Sequence, residues 1–168
     1  MVDQRKSKNL PPKTEWETPI KVFRAIERFT YINFHPPFAE NFELDPCTTD
    51  ENNLKLPHFY TKKDDGLKQK WAPYSAFVNC PYDDIPTWIR KAIDEAHHGA
   101  KVCMLLPAAT SDGWFHDLAT QGHITLLRGR TTFKNAPSNP RFGSILVHYF
   151  QNQLAPDQLY RGIDVGVL

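Results

Sequence analysis

The apolar positions of this chain fall into two patterns, one typical of helices and one typical of buried strands. Helical spacing is clearest between Asp84 and Gly99, at Ile85, Trp88, Ile89, Ala92, Ile93 and Ala96. This spacing predicts a helix that begins near Asp84 and is ended by Gly99. The segment that follows, 101–107, is an almost unbroken apolar run, which is typical of a strand buried on both faces.

Weaker signals of the same kinds predict the remaining elements. Thr18 is expected to cap a first helix, with Pro19 at its first helical position, and this helix is expected to end near 28–30. Ser111 or Asp112 is expected to cap another short helix. Further strands are predicted at 42–46, 75–78, 123–127 and 144–150. Segment 47–63 has little periodicity and is expected to be a long loop, a kind of segment that is often functional.

The alternation of strands and helices predicts an α/β fold with a largely parallel sheet and helices on both faces. Ligands of such sheets bind beyond the carboxyl ends of the strands. Two motifs are predicted to lie there, Asp45-Pro46 and Asn79-Cys80-Pro81-Tyr82. The functional site is therefore expected at this edge.

Composition narrows the class of protein. The chain has 168 residues, 20 Lys and Arg against 19 Asp and Glu, and a net charge of +1, which excludes a strongly basic coat but not a local basic patch. We expect a flexible basic arm at 1–14 and a single domain at 15–168. No apolar run is long enough to cross a membrane. Three cysteines cannot all pair and lack the spacing of a zinc site, so we expect no metal and a cytoplasmic location.

The tetrapeptide Asn79-Cys80-Pro81-Tyr82 closes one predicted strand and opens the next helix. It resembles the Asn-Pro-Pro-Tyr motif of amino-methylating DNA methyltransferases, with Cys80 in place of the first proline. The Asn79 oxygen and the Cys80 backbone carbonyl could hold both hydrogens of an exocyclic amine and stabilise the charge that develops during methyl transfer. Pro81 would stiffen the loop, and Tyr82 could stack on a base turned out of the duplex. The alternative interpretation is a plain strand-to-helix turn with a capping asparagine.

A wider set of segments occurs in one order along the chain: 15–19, 42–47, 64–67 with Trp71, 79–82, 105–108 with 114–115, and 127–130 with Phe133. This ordered set resembles the phage-type DNA N-6-adenine methyltransferases over roughly 15–150. The resemblance implies a Rossmann-like methyltransferase fold that uses S-adenosylmethionine to methylate adenine in double-stranded DNA. If the chain is phage-encoded, it would act in the host bacterial cytoplasm.

The resemblance also implies a cofactor pocket lined by Thr18, Pro19, Asp45, Pro46 and Cys47, with Asp65 near the cofactor and the target base. The chemistry of the cofactor partly supports this placement of the two aspartates, because its ammonium, sulfonium and hydroxyl groups favour nearby carboxylates. The alternatives are a simple turn before proline for Asp45 and a solvated turn for Asp65. The loop at 47–53 contains no glycine, so cofactor contacts cannot be assigned there from residue type.

The predicted loop at 128–141 carries four basic residues, Arg128, Arg130, Lys134 and Arg141. Contact with DNA phosphates is the natural use of such a loop, and a solubilising loop is the alternative.

Two other functions stay open from the sequence. Cys80 and the loop at 47–53 are also compatible with a catalytically silent DNA- or protein-binding module on the same scaffold. The motif alone does not separate adenine from cytosine as the base whose exocyclic amine is methylated. The DNA recognition sequence and the oligomeric state are not determined by these patterns.

Overall fold

A computed structural model describes residues 16–49, 51–134 and 140–151, together with the backbone of a strand at 160–164. The predicted basic arm at 1–14 lies outside the described residues. Helix α1 spans Ile20–Phe34, α2 spans Ile85–His97 and α3 spans Gly113–Asp117, and a short 3-10 helix follows at Ala119–Gln121. None of the described helices is long and apolar enough to cross a membrane.

The first helix differs from its prediction at both ends. Pro19, not Thr18, occupies the N-cap, and no side chain caps the helix. At the other end the helix continues to Phe34, four residues beyond the predicted end at Thr30. Phe34 is buried and stacks on the imidazole of His148 with ring centroids 4.1 Å apart. This tertiary contact stabilises a last turn that helical spacing alone does not indicate.

In the part of the chain that the structure describes, seven strands form one sheet in the order β2-β1-β3-β4-β6-β5-β7. Their bounds are β1 Leu44–Asp45, β2 His58–Phe59, β3 Ser75–Val78, β4 Lys101–Pro107, β5 His123–Arg128, β6 Ser144–Tyr149 and β7 Tyr160–Asp164. The predicted strands at 75–78 and 101–107 are confirmed. Strand β2 lies inside the segment that was predicted as loop.

The sheet is mixed, which corrects the prediction of a largely parallel sheet. Strands β2, β1, β3 and β4 are parallel neighbours, whereas β6 runs antiparallel to both β4 and β5. In the described part of the connection between β5 and β6 there is no helix. Parallel neighbours are usually joined by a crossover helix, whereas antiparallel neighbours need none, and the described part of this connection agrees with the antiparallel direction of β6.

Two layers of apolar side chains cover the two faces of the sheet. Side chains alternate along the strands, so that Phe77 packs with α1 on one face while Ala76 and Val78 pack with α2 on the other. Strand β4 divides in the same way, with Leu105 toward α1 and Met104 toward α2. The prediction of helices on both faces is therefore confirmed, and it leaves the strand ends free to build a site.

Candidate active site

The carboxyl ends of three neighbouring parallel strands open into a cavity of about 860 Å³. Strand β1 ends at Asp45, β2 at Phe59 and β3 at Val78, so the residues that follow each strand meet at one edge. The cavity volume falls within the range typical of small-molecule sites. Seven of the residues predicted from sequence line it: Thr18, Asp45, Pro46, Cys47, Asp65, Asn79 and Pro81.

Asp45 is the most deeply buried acid of the cavity, with 6% of its surface exposed. Its Oδ1 accepts a hydrogen bond from the backbone N–H of Cys47 at 3.2 Å. Burial raises the pKa of the Asp45 carboxyl to about 7, against the lowering effect of hydrogen bonds from Cys47 and Thr48. This carboxyl therefore changes charge near neutral pH.

The Cys47 thiol lies between segment 45–47, here called the Asp45 segment, and the motif at 79–82, here called the Asn79 motif. It interacts with the backbone N–H of Asn79, and burial followed by the nearby Asp45 charge raises its pKa well above the usual value. Cys47 is therefore a neutral thiol that packs between the two motifs, and it is not poised as a nucleophile.

Asp65 and Gly66 form a tight turn against the Asp45 segment. Asp65 has a positive φ of 55°, and the backbone of Gly66 packs directly against the carbonyl of Pro46. The Gly66 carbonyl accepts a hydrogen bond from the buried Trp71 indole at 2.9 Å. Asp65 pairs with Lys68 at 2.8 Å, and this hydrogen bond is the main cause of the lowered pKa of the Asp65 carboxyl. The acid is thus charged at neutral pH at the rim of the cavity.

The Asn79 carboxamide is held by the segment that precedes α1. Its Nδ2 donates to the backbone carbonyl of Trp16 at 2.6 Å and to Thr18 Oγ1 at 3.1 Å. Thr18 is buried, and its role here is to accept this hydrogen bond, which replaces the predicted helix cap.

Two other residues of the motif, Cys80 and Tyr82, pack in the core and in an aromatic cluster respectively. The Cys80 side chain is 2% exposed and packs in the core, where burial raises the pKa of its thiol. Tyr82 packs edge-on against Trp16 and Phe142, with ring centroids 5.9 Å away in each case, and against Phe133. Neither Cys80 nor Tyr82 is among the residues that line the cavity. Trp16 belongs to both the cavity and the cluster, so the two adjoin.

The charge of the cavity wall is mostly negative. Five acidic residues line it, Glu17, Asp45, Glu51, Asp65 and Asp83, and Lys62 is the one basic residue in the described lining. Such a wall favours a cationic ligand. Across the described ranges, no group of three or more His, Cys, Asp or Glu residues could hold a metal ion.

The predicted basic loop lies apart from the cavity lining. Arg128, Arg130 and Arg141 are exposed, and Arg130 donates to the Pro140 carbonyl at 3.2 Å. Lys134 pairs with Glu17 at 3.4 Å and donates to Asn53 Oδ1 at 3.4 Å. Together with Pro19, Lys134 lines a second pocket of about 600 Å³. Pro19 and the four basic residues thus do not line the first cavity, although Lys134 contacts two residues that do, Glu17 and Asn53.

Sequence reasoning assigned no role to three residues that shape the site. Trp16 supplies a backbone carbonyl to Asn79, and Asn53 donates to the Thr18 carbonyl at 3.2 Å. Gly66 supplies the close approach to Pro46. The signals available in the sequence were the aromatic residue before Thr18-Pro19 and the glycine after two aspartates, but neither specifies its partner.

Two phage proteins of known name are similar in sequence to this chain. The chain is 29% identical over 102 residues to the DNA N-6-adenine-methyltransferase of Escherichia phage T1, a match that covers 60% of this chain and 38% of that protein. It is 31% identical over 104 residues to the DNA N-6-adenine-methyltransferase of Haemophilus phage HP1, covering 61% of this chain and 55% of the relative. The chain thus spans little more than half of one relative and well under half of the other. No solved structure gives a significant match.

A family comparison extends further along the chain than either relative. The family described as DNA N-6-adenine-methyltransferase (Dam) matches residues 6–144, which include the Asp45 segment, the Asn79 motif and most of the sheet. By this match over most of its length, the chain belongs to the DNA N-6-adenine-methyltransferase (Dam) family.

Proposed function

We propose that this protein transfers a methyl group from S-adenosylmethionine to the exocyclic amine of adenine in DNA. The observation that carries the proposal is the meeting of the Asp45 segment and the Asn79 motif in one cavity at the carboxyl ends of neighbouring strands. Family membership gives the reaction class. The parallel strands β2-β1-β3-β4, with α1 and α2 on opposite faces, support a Rossmann-like methyltransferase fold.

The cavity fits S-adenosylmethionine in size and charge. The acidic lining suits a ligand that carries a sulfonium and an ammonium, and Trp16, Phe77 and Trp88 offer apolar surface for its base. Asp45, Pro46 and Cys47 would hold the cofactor, with Asp65 at the rim. When bound, the cofactor supplies an electrophilic methyl group.

Asn79 would act on the target amine. An amine delocalised into an aromatic ring is a weak nucleophile, and acceptors on its hydrogens stabilise the positive charge that develops as it attacks. The Asn79 Oδ1 and the Cys80 carbonyl supply these acceptors. Because the Cys80 side chain is packed in the core, the change from proline to cysteine leaves its carbonyl as the functional group.

The aromatic cluster would form the wall of the base site. Tyr82 lies three residues after Asn79 in the chain, and Trp16 joins the cluster to the cavity. A base turned out of the duplex at this junction would meet aromatic surface from Tyr82, which is worth about 1–3 kcal/mol per stacked base. Arg128, Arg130, Lys134 and Arg141 would contact DNA phosphates.

A methylation assay tests the proposal. The chain is incubated with unmethylated DNA and labelled S-adenosylmethionine, and the nucleosides are analysed by mass spectrometry. We expect N6-methyladenine, and at least a 100-fold lower rate for Asn79→Ala. Asn33→Ala is the matched control, because Asn33 lies on the exposed face of α1 and bonds only within that helix in the described contacts.

The other outcomes point to the alternatives. Tight binding of S-adenosylmethionine with no methylated nucleoside would favour a catalytically silent binding module. Methylcytosine in place of methyladenine would favour the cytosine-directed enzyme. A wild-type rate in Asn79→Ala would exclude the proposed mechanism.

A further inference from the structure

The two ends of the Asn79 carboxamide are not interchangeable in this site. The Trp16 carbonyl oxygen, 2.6 Å away, can only accept a hydrogen bond, so the end of the carboxamide that faces it must be the NH₂ group. Thr18 Oγ1 receives the second contact of the same nitrogen at 3.1 Å. Both Nδ2 hydrogens therefore have partners, and Oδ1 is the end left for a ligand.

The segment Trp16–Thr18, here called the strap, is itself fixed from several sides. The backbone N–H of Lys134 donates to the Glu17 carbonyl at 2.9 Å, and Asn53 donates to the Thr18 carbonyl. The Trp16 ring stacks on Phe142 at 5.8 Å between centroids, with the ring planes 12° apart. A strap held in this way presents its two acceptors in a fixed place.

We propose that Thr18 is a positioning residue, whose hydroxyl, together with the Trp16 carbonyl, orients the Asn79 carboxamide so that Oδ1 meets the target amine. This inference rests on the proposed function. A carboxamide rotated by 180° would present NH₂ to an amine, placing donor against donor and removing the acceptor that the reaction needs. Thr18 therefore acts through Asn79, and this role replaces the direct cofactor contact predicted from the sequence.

A positioning role and a direct cofactor contact predict different kinetics for Thr18→Val, a variant that keeps the shape of the side chain and removes the hydrogen-bond acceptor. A positioning role predicts that kcat falls about five- to tenfold, as expected for one lost hydrogen bond, while the Kd for S-adenosylmethionine stays within about twofold of wild type. Thr18→Ser, which keeps the hydroxyl, is expected to recover most of the lost kcat. In an Asn79→Ala background, Thr18→Val is expected to have no further effect on kcat.

Several results would overturn the inference. These are an unchanged kcat in Thr18→Val, a tenfold rise in the cofactor Kd with unchanged kcat, or equal losses in the Val and Ser variants. Failure of the proposed function is distinguishable, because wild-type protein would then give no methyladenine. An active wild type with an equally active Thr18→Val removes this inference alone.

A measurement on the wild-type chain applies even if Thr18→Val does not fold. In a ¹⁵N-labelled sample, both Asn79 Nδ2 protons are expected to exchange with solvent at least tenfold more slowly than those of the exposed Asn41. Exchange of either Asn79 proton at the Asn41 rate would contradict the two hydrogen bonds and overturn the inference.

Discussion

The backbone of Gly66 packs so closely against the carbonyl of Pro46 that no side chain can stand between them. The two residues lie on different loops, one before and one after β2, and both line the cavity. Gly66 is held in turn by the hydrogen bond from the Trp71 indole. The position of the Asp45 segment thus depends on the absence of a Cβ twenty residues later.

Gly66→Ala is expected to lower the affinity for S-adenosylmethionine by at least tenfold. The added methyl group would overlap backbone atoms of Pro46, which cannot yield as a flexible side chain can, so the Asp45 segment must shift. Calorimetric titration measures the affinity. Gly113→Ala is the control, because its Cβ would lie at an ordinary 3.8 Å from Asp117. Equal affinities in the two variants would show that the segment tolerates the shift.

Cofactor affinity is expected to rise with pH through about 7. Asp45 is neutral below its raised pKa of about 7 and negative above it, and a cationic ligand favours the negative form. Below pH 7 the affinity should fall by up to about tenfold per pH unit. Asp45→Asn should bind more weakly and lose this dependence, whereas Asp83→Asn, at an exposed position of the same cavity, should keep it. A wild-type titration that is flat from pH 6 to 8 would refute the role of Asp45.

Asp45→Asn is also expected to stabilise the protein in the absence of ligand. The pKa of Asp45 is raised on folding, so the carboxyl favours the folded state most below pH 3.8 and loses that contribution as the pH rises through 7. The loss amounts to at most about 4 kcal/mol. Denaturant unfolding at pH 5 and pH 8 should therefore show that Asp45→Asn raises the free energy of unfolding, relative to wild type, by more at pH 8 than at pH 5. A gain that is equal at both pH values would contradict this prediction.

Acid is expected to destabilise the fold through His148. This imidazole is fully buried, with Nε2 3.0 Å from Thr30 Oγ1, and burial lowers the pKa of His148 to about 3. In the unfolded chain this imidazole takes up a proton near pH 6.5, whereas in the folded chain it stays neutral down to about pH 3. The free energy of unfolding therefore falls as the pH is lowered from 6.5 toward 3, by up to about 1.4 kcal/mol per pH unit. His148→Gln should reduce this slope in denaturant unfolding, whatever its effect at pH 7. His97→Gln, on the exposed end of α2, should leave the slope unchanged.

Arg141→Ala is expected to weaken DNA binding and to make it less sensitive to salt. Each phosphate contact releases condensed counterions, so one lost contact should reduce the slope of log K against log salt by about 0.9. Fluorescence anisotropy over a salt series measures the slope. Arg90→Ala, an exposed arginine on α2, is the control and should leave the slope unchanged. Equal slopes in the two variants would remove Arg141 from the DNA interface.

The sequence by itself determined the local parts of this protein. Apolar spacing fixed the position of α2, the unbroken run fixed β4, and the strand ends placed Asp45 and Asn79 at one edge of a sheet. These features depend on residues close together in the chain, where hydrophobic period and turn chemistry act directly.

Only the tertiary structure decided the rest. The direction of β6, the last turn of α1 on His148 and the short strand β2 all depend on contacts between distant segments. The same is true of the partners of Asn79, which lie 61 and 63 residues earlier in the chain. A hydroxyl and a carbonyl are common groups, and their hydrogen bonds have no signature in the sequence. The sequence therefore predicts Thr18 as a helix cap, whereas in the folded chain its hydroxyl accepts a hydrogen bond from Asn79.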